Sequence, residues 1–385
     1  MKPIDPGQAR KILIRGTNWI GDAVMSVPAL KEIRRIFPQA DISLLVRPWV
    51  KDVYSAVDFV DHIIEYDKGG SHRGWRGLSR LVREIREQRF DLAILFQNAM
   101  EAALIAWWAG IPVRLGYTRD GRGPLLTHRC KINPDVLKVH QIYYYLGILS
   151  GAGLLPLSPW HNPGYRPSVA VGVKDADVAA ARQLLISHGV LPGQVIIGVN
   201  PGAAYGSAKR WLTDRYAYVA DRLAEKHQAR ILIFGTAAEK HMAQEIAGQM
   251  RHPPLICAGL TSLGQLMALI KECHLFLTND SGPMHLAAAL DVAQIAIFGS
   301  TSEIATGPFS PRALVIKQPV DCSPCFLREC PIDFRCMTRI SVEHVLQAAE
   351  RQLAQSRERF GLAGETGPRS PVKPDNIDWR FTIDD

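Results

Sequence analysis

Four short stretches set glycine or serine beside an acid or a cation just past an apolar run: RGTNWIGDAVMSVPAL (15–30), NPGAAYGSAKRW (200–211), FGTAAE (234–239) and TNDSGPMHLAAAL (278–290). In the first, Gly16 and Gly21 form a turn and Asp22 opens a helical pattern. The turn is not G-x-G-x-x-G and has no Lys-Ser/Thr after its second glycine, so neither a dinucleotide fingerprint nor a P-loop is present. Asp22 is then either a helix N-cap or, at the mouth of a cleft, a general base. In the second, Ala203, Ala204, Gly206 and Ser207 let a ligand approach the backbone. Lys209 and Arg210 follow with cations suited to a diphosphate. Glu239 in the third could accept from ribose hydroxyls or stand as a solvated surface acid. In the fourth, Asp280 or Ser281 can cap a helix whose first turn holds Gly282 and Pro283. That helix end, with His285 beside it, would suit an anion.

Other residues of chemical interest lie outside these turns. Cys322, Cys325, Cys330 and Cys336 are closely spaced. The C-x-x-C pair could start a structural zinc tetrahedron, or the four could be reduced thiols packing a loop. Asp175 and Asp177 form an Asp-x-Asp pair just before a helical run, where capping is the better reading than metal binding. Arg73, Arg76, Arg119 and Arg122 sit on Gly-rich segments of the N-terminal half.

Strand-like and helix-like segments alternate around these turns. Strands are expected at 11–16, 40–48, 61–67, 91–97, 195–202, 230–239, 254–259, 274–279 and 293–299. Helices are expected at 23–37, 78–88, 215–227, 263–273 and 341–356. This alternation predicts an α/β protein with parallel sheets covered on both faces. The Pro-rich stretch 154–171 marks a boundary. Two Rossmann-like domains, 1–165 and 166–340, are expected to face an interdomain cleft, the usual place for a ligand. Helix 341–358 would follow, crossing back to the first domain, and 359–385 would be a disordered tail.

The chain has 385 residues, of which 47% are hydrophobic and 21% charged, an ordinary globular composition. Its N-terminus lacks a signal-peptide pattern, and its longest apolar run, around ALIAWWAGIPV, is too short to span a bilayer. A cytoplasmic protein is expected, with cysteines reduced or metal-bound. The net charge of +8 is uneven: residues 68–138 carry thirteen Lys or Arg against six Asp or Glu. Such a patch suits a phosphorylated substrate, an anionic membrane or nucleic acid.

Taken in order, ILIRGTNWIGDAVMSVPALKEIRRIFPQADISLLVRP, NPGAAYGSAKRWL and TNDSGPMHLAAAL resemble glycosyltransferase family nine, the ADP-heptose lipopolysaccharide heptosyltransferases. The similarity runs from about residue 11 to about residue 350. It implies a GT-B fold and inverting transfer of heptose from ADP-L-glycero-β-D-manno-heptose to the heptosyl-Kdo2-lipid A inner core. It implies Asp22 as general base and Lys209 as the group stabilising the leaving diphosphate. Gly21, Ser207, Lys209, Arg210, Glu239, Asp280, Ser281, Gly282 and His285 would line the donor site. Arg73, Arg76, Arg119 and Arg122 would meet acceptor phosphates and carboxylates. No catalytic cofactor is implied. The partners implied are ADP-heptose, the lipopolysaccharide acceptor and the inner face of the inner membrane, with no nucleic acid. Another heptosyltransferase of the family or a sugar-nucleotide epimerase of similar fold are the competing enzymes. A basic nucleic-acid-binding protein is the non-enzymatic alternative.

Overall fold

The computed structural model describes residues 3–155, 159–162 and 164–359. The boundary expected near residue 165 adjoins undescribed positions, and the expected tail, apart from Arg359, lies outside the described residues.

The N-terminal half runs β1 (Lys11–Arg15), α1 (Ile20–Ile36), β2 (Asp41–Val46), β3 (His62–Glu65), α2 (Gly74–Gln88), β4 (Leu92–Leu95), α3 (Met100–Trp108), β5 (Val113–Tyr117), β6 (His128–Cys130) and α4 (Ile142–Gly151). The C-terminal half runs α5 (Asp175–Ser187), β7 (Ile196–Asn200), α6 (Thr213–His227), β8 (Arg230–Ile233), α7 (Lys240–Gln249), β9 (Leu255–Ile256), α8 (Leu263–Glu272), β10 (Leu275–Asn279), α9 (Gly282–Ala289), β11 (Gln294–Phe298), α10 (Glu303–Thr306), β12 (Ala313–Lys317), α11 (Arg335–Thr338) and α12 (Val342–Arg359). Each half folds around one six-stranded sheet, ordered β3-β2-β1-β4-β5-β6 and β12-β11-β10-β7-β8-β9. Strand pairing is parallel throughout, for example Ile12 with Ile42 and Leu92, and Leu277 with Val199 and Ile295.

The central strands are apolar without alternation because helices cover both faces of a parallel sheet. Every residue of β4, β7, β10 and β11 is buried. α2 shows the opposite economy: Leu81, Val82 and Ile85 face the sheet at helical spacing while arginines point outward. Topology also fixes where ligands go. Strand order reverses between β1 and β4 in one sheet and between β7 and β10 in the other. Crevices form beyond the strand ends at such points, and three of the four sequence motifs leave β1, β7 and β10.

The two halves share one apolar core. Ile12, Leu30 and Leu146 of the first belong to the same buried cluster as Leu185, Met267 and Leu286 of the second. α1 packs on α9, and the short 3-10 turn Pro48–Tyr54 packs on α8.

Several expectations need correction. β5, β6, β12, α3, α4, α7, α10 and α11 lie where no element is expected: in α3 and α4 nearly every residue is apolar, so no helical period shows. α1 starts at Ile20 and accommodates Pro28 within it. α12 packs against α6 and strands β10 to β12 of its own half, with Val345, Ala348, Ala349 and Leu353 in the core shared with Trp211 and Tyr216. The expected crossing to the first domain is therefore replaced by docking at home. Asp175 and Asp177 occupy the first turn of α5, as a dipole-complementing pair should.

Candidate active site

The first turn of α1 meets the first turn of α9 across the cleft. A Cβ placed on Gly21 would lie 2.7 Å from Cδ2 of His285, and one on Gly282 would lie 3.1 Å from Cβ of Ile20. The motif glycines thus allow two helix N-termini to approach.

Asp22 stands at this junction. Its Oδ1 accepts hydrogen bonds from Tyr145 Oη (2.9 Å) and Gln141 Nε2 (2.8 Å), both from the α4 region. The N-cap position of α1 is Trp19, not Asp22, so the carboxylate is not consumed as a cap. Burial raises its pKa above the ordinary carboxylate value, while the Tyr145 hydrogen bond and the charge of Lys209 pull it back. A desolvated carboxylate fixed by two donors has the character of a general base. It opens onto a cavity of about 450 Å³ lined by Thr17, Asn18, Trp19, Gln97, Asn98 and Arg119 among others. That cavity lies at the β1/β4 reversal.

The second group of side chains gathers at the β7/β10 reversal. Lys209 Nζ contacts Asp280 Oδ2 at 2.5 Å and lies 4.9 Å above the Tyr205 ring. Asp280 Oδ2 also accepts from Thr301 Oγ1 at 2.6 Å. The loop carrying Lys209 is laced to β10 by two asparagines. Asn279 accepts from the Trp211 N–H at 3.0 Å and donates to the Pro201 carbonyl at 2.7 Å. Asn200 donates to Ser281 Oγ at 3.2 Å. Ser281 occupies the N-cap of α9, yet its hydroxyl makes no capping bond and pairs with Asn200 and Thr278. The expected side-chain cap is therefore absent, and the helix N–H groups stay uncapped by side chains for an anion.

The remaining donor candidates divide. Ser207 opens the short 3-10 turn that presents Lys209, and Arg210 donates to the Ala203 carbonyl at 3.2 Å. Glu239 closes a capping box on Thr236, accepting from its N–H at 2.9 Å, and also overlies Gly202. Glu239 is thus half-buried and engaged as a capping residue. His285 is buried against Gly21, and burial lowers its pKa to about 4, so it is a neutral imidazole at pH 7. It contributes packing at the junction, not positive charge.

The four arginines also separate. Arg119 is exposed and lines the Asp22 cavity. Arg73 and Arg76 are exposed at the start of α2, outside that lining. Arg122 is fully buried, donating to the Tyr117 carbonyl (2.9 Å), to Asn98 Oδ1 (3.1 Å) and to the Gln97 carbonyl. Its guanidinium is used up in shaping the cavity wall, which corrects the expectation that it faces an acceptor.

The cysteine loop backs the donor side. Cys322 and Cys325 are exposed, Cys330 is half-buried and Cys336 buried, all as free thiols. Among the described residues no three His, Cys, Asp or Glu side chains gather as a metal-binding group, while burial and the nearby Cys322, Cys330 and Cys325 raise the pKa of the Cys336 thiol. The loop instead supports residues 205–208: the Arg328 carbonyl accepts from Ala208 N–H at 2.9 Å and the Phe326 carbonyl from Tyr205 Oη at 2.7 Å.

Tyr145, Gln141, Asn200 and Thr301 are the site residues that the sequence reading passed over. Only Asn200 had a local signal, as the first residue of a motif already singled out.

Two facing switch-point sites, one with a fixed carboxylate and one with a cation and an open helix end, define an enzyme that transfers a group from an anionic carrier. The family model for Glycosyltransferase family 9 (heptosyltransferase) matches residues 78–334, and the chain belongs to that family. It is a glycosyltransferase of GT-B architecture. It is 31% identical over 316 residues to lipopolysaccharide heptosyltransferase 2 of Salmonella typhimurium, covering 80% of this chain and 88% of that protein. The ADP-heptose LPS heptosyltransferase II structure from E. coli superposes with a TM-score of 0.75 at 27% identity, covering 90% of this chain and 99% of that one. A family 9 glycosyltransferase from Veillonella parvula gives 0.78 at 25% identity, with 90% and 97% covered.

Proposed function

We infer that this protein transfers heptose from ADP-L-glycero-β-D-manno-heptose to the heptosyl-Kdo2-lipid A inner core of lipopolysaccharide, the reaction of heptosyltransferase II. The similarity to curated heptosyltransferases 2 supports the step. The observation that carries the chemistry is Asp22, half-buried at the junction of the halves and held by Tyr145 and Gln141.

Asp22 takes the proton from an acceptor hydroxyl lying in the 450 Å³ cavity. The oxygen attacks the anomeric carbon, the bond to the diphosphate breaks, and configuration inverts. Lys209, Arg210 and the N–H groups of Ser281, Gly282 and Met284 receive the negative charge of departing ADP. These fixed positive groups fill the role a divalent ion would otherwise play. Contact of α1 with α9 orients donor and acceptor and excludes water. Arg119 is placed to meet acceptor anions. Because the acceptor is anchored by lipid, the enzyme works as a peripheral protein at the inner face of the inner membrane. No helix among the described residues is long and apolar enough to cross that membrane.

Incubation with ADP-heptose and defined truncated lipopolysaccharides, read by mass spectrometry, tests the assignment. The expected product gains one heptosyl unit, only on the acceptor that already carries one heptose. Transfer only to the heptose-free acceptor would move the protein to the first step. Conversion of the nucleotide sugar without acceptor would make it an epimerase.

A further inference from the structure

The outer surface of the first half carries two parallel stripes that the transfer reaction does not use. On α2, Arg76, Arg80 and Arg83 follow at i, i+4 and i+7, which places them on one exposed face. Residues 73–89 hold six arginines and two glutamates, and Glu84 turns to His72 at 3.4 Å rather than to this row. On α3, Met100, Leu104, Trp107 and Trp108 follow at i, i+4, i+7 and i+8, an apolar row along the whole helix. Trp107 and Trp108 are 48% and 43% exposed, and Trp75 at the start of α2 is 78% exposed. These aromatic rings lie on solvent although the same helices bury Leu81, Ile85, Ala103 and Ile105 on the sheet.

The stripes are contiguous. α2 and α3 pack side by side, and Arg86 donates to the Trp108 carbonyl, tying their C-terminal ends together. An open groove of about 780 Å³ there is lined by Arg86, Arg89, Phe90, Trp107, Trp108 and Pro112 among others. Arginine meets indole at both ends of α2: the Arg76 guanidinium lies 6.0 Å from the Trp75 ring centroid, and Arg86 and Arg89 share the groove with Trp107 and Trp108.

We propose that this α2–α3 face docks on the anionic surface of a phospholipid bilayer. Tryptophan settles at the headgroup level, where its ring is apolar and its N–H stays wet. Arginines beside it meet lipid phosphates. Nucleic acid would use the charge but leave the apolar row of α3 uncovered. A second copy of the chain would oppose arginine to arginine. The placement also suits catalysis: Met100, at the head of the apolar row, follows two residues after Asn98, which lines the Asp22 cavity. Docking along α2 and α3 brings the cavity mouth to the lipid surface, where a lipid-anchored acceptor is held. The proposal rests on the peripheral-membrane reading for its choice of membrane, but not on heptosyl transfer itself.

The test is co-sedimentation of the full-length protein with vesicles, without donor or acceptor. One vesicle type contains phosphatidylglycerol with phosphatidylethanolamine, the other phosphatidylcholine alone. The anionic vesicles should bind at least about tenfold more tightly, since each basic residue near such a surface contributes about fivefold. Arg80→Glu with Arg83→Glu should lose about tenfold or more, and the neutral pair Arg80→Gln with Arg83→Gln a smaller factor in the same direction. Trp107→Gln should weaken binding several-fold even at high salt. The charge variants should keep wild-type turnover on a deacylated, water-soluble acceptor. Equal binding to both vesicle types overturns the proposal, as does unchanged binding in the charge variants. Binding of duplex DNA at lower protein concentration than anionic vesicles also overturns it. Failure of transfer on the deacylated acceptor by the wild-type protein would count against the proposed function, leaving the docking result standing.

Discussion

Tyr145 Oη donates a 2.9 Å hydrogen bond to Oδ1 of Asp22, joining α4 to the first turn of α1 across 123 positions of sequence. Burial raises the Asp22 pKa, and this bond opposes the rise by favouring the charged carboxylate. A general base must be deprotonated to act, so activity should fall on the acid side as Asp22 takes up its proton. Tyr145→Phe removes a donor to the carboxylate, so the acid limb of the kcat profile should move to higher pH while the alkaline plateau persists. An unshifted limb would sink the positioning role of Tyr145. Asp22→Asn should cut kcat by about 10²–10⁴-fold and leave ADP-heptose affinity by calorimetry near wild type.

Lys209 and Asp280 form a second coupled pair, at 2.5 Å with side-chain exposures of 14% and 5%. Loss of Lys209 removes one charge-assisted bond to the donor phosphates, worth about 1.5–3 kcal/mol. Lys209→Met should therefore weaken ADP binding about 10–100-fold. It also strands Asp280 in a buried site with Thr301 as its remaining side-chain hydrogen-bond partner among the described residues, a change that costs on the order of 3–5 kcal/mol. Asp280→Asn added to Lys209→Met should restore part of the melting temperature but none of the ADP affinity. Recovery of affinity in the double variant would show that Lys209 acts on Asp280 alone. Because protein cations are assigned the leaving-group role, turnover should stay within about twofold of wild type in excess EDTA.

The halves of this site differ in how far the sequence discloses them. Asp22, Lys209, Asp280 and Ser281 each follow an apolar run that could only be a buried strand, so strand-end chemistry was legible from pattern. The sheet order that makes those strand ends switch points was not, because pairing of β1 with β4 or β7 with β10 leaves no local trace. Tyr145 and Gln141 were hidden for a related reason. They sit beside an almost wholly apolar helix whose period is invisible, and their partner is far away in sequence. Arg122 was misassigned because a Gly-rich neighbourhood looks exposed, whereas its guanidinium folds inward onto three carbonyls and Asn98.

Gly21 faces His285 with no room for a methyl group, since a Cβ there would approach Cδ2 to 2.7 Å. Gly21→Ala should push α1 from α9, at an overpacking cost of about 1–3 kcal/mol. Turnover should fall more than ADP affinity, because the donor contacts lie on the second half and only the approach of Asp22 is disturbed. His285→Ala in the same chain makes space for the methyl, so the two losses should be less than additive in a double-mutant cycle. Strict additivity in both kcat and melting temperature would show that the glycine–histidine contact does not set the spacing.

The same histidine makes the junction sensitive to acid. Burial lowers the His285 pKa to about 4, and burial likewise lowers that of His140, whose Nε2 lies 2.8 Å from the Gly307 carbonyl of the opposite half, to about 4. In the unfolded chain both rings titrate near the ordinary value of about 6.5. Between those values the unfolded state binds more protons than the folded one, so stability must fall as pH falls. The contribution is complete above about pH 6.5 and lost progressively down to about pH 4, on the order of 3 kcal/mol for the fully buried His285. Melting temperature should accordingly decline from pH 7 to pH 4.5, and His285→Asn should flatten part of that decline while lowering stability at pH 7. Calorimetric scans of the two proteins across this range decide the matter, and parallel curves would exclude His285 as a source of the acid sensitivity.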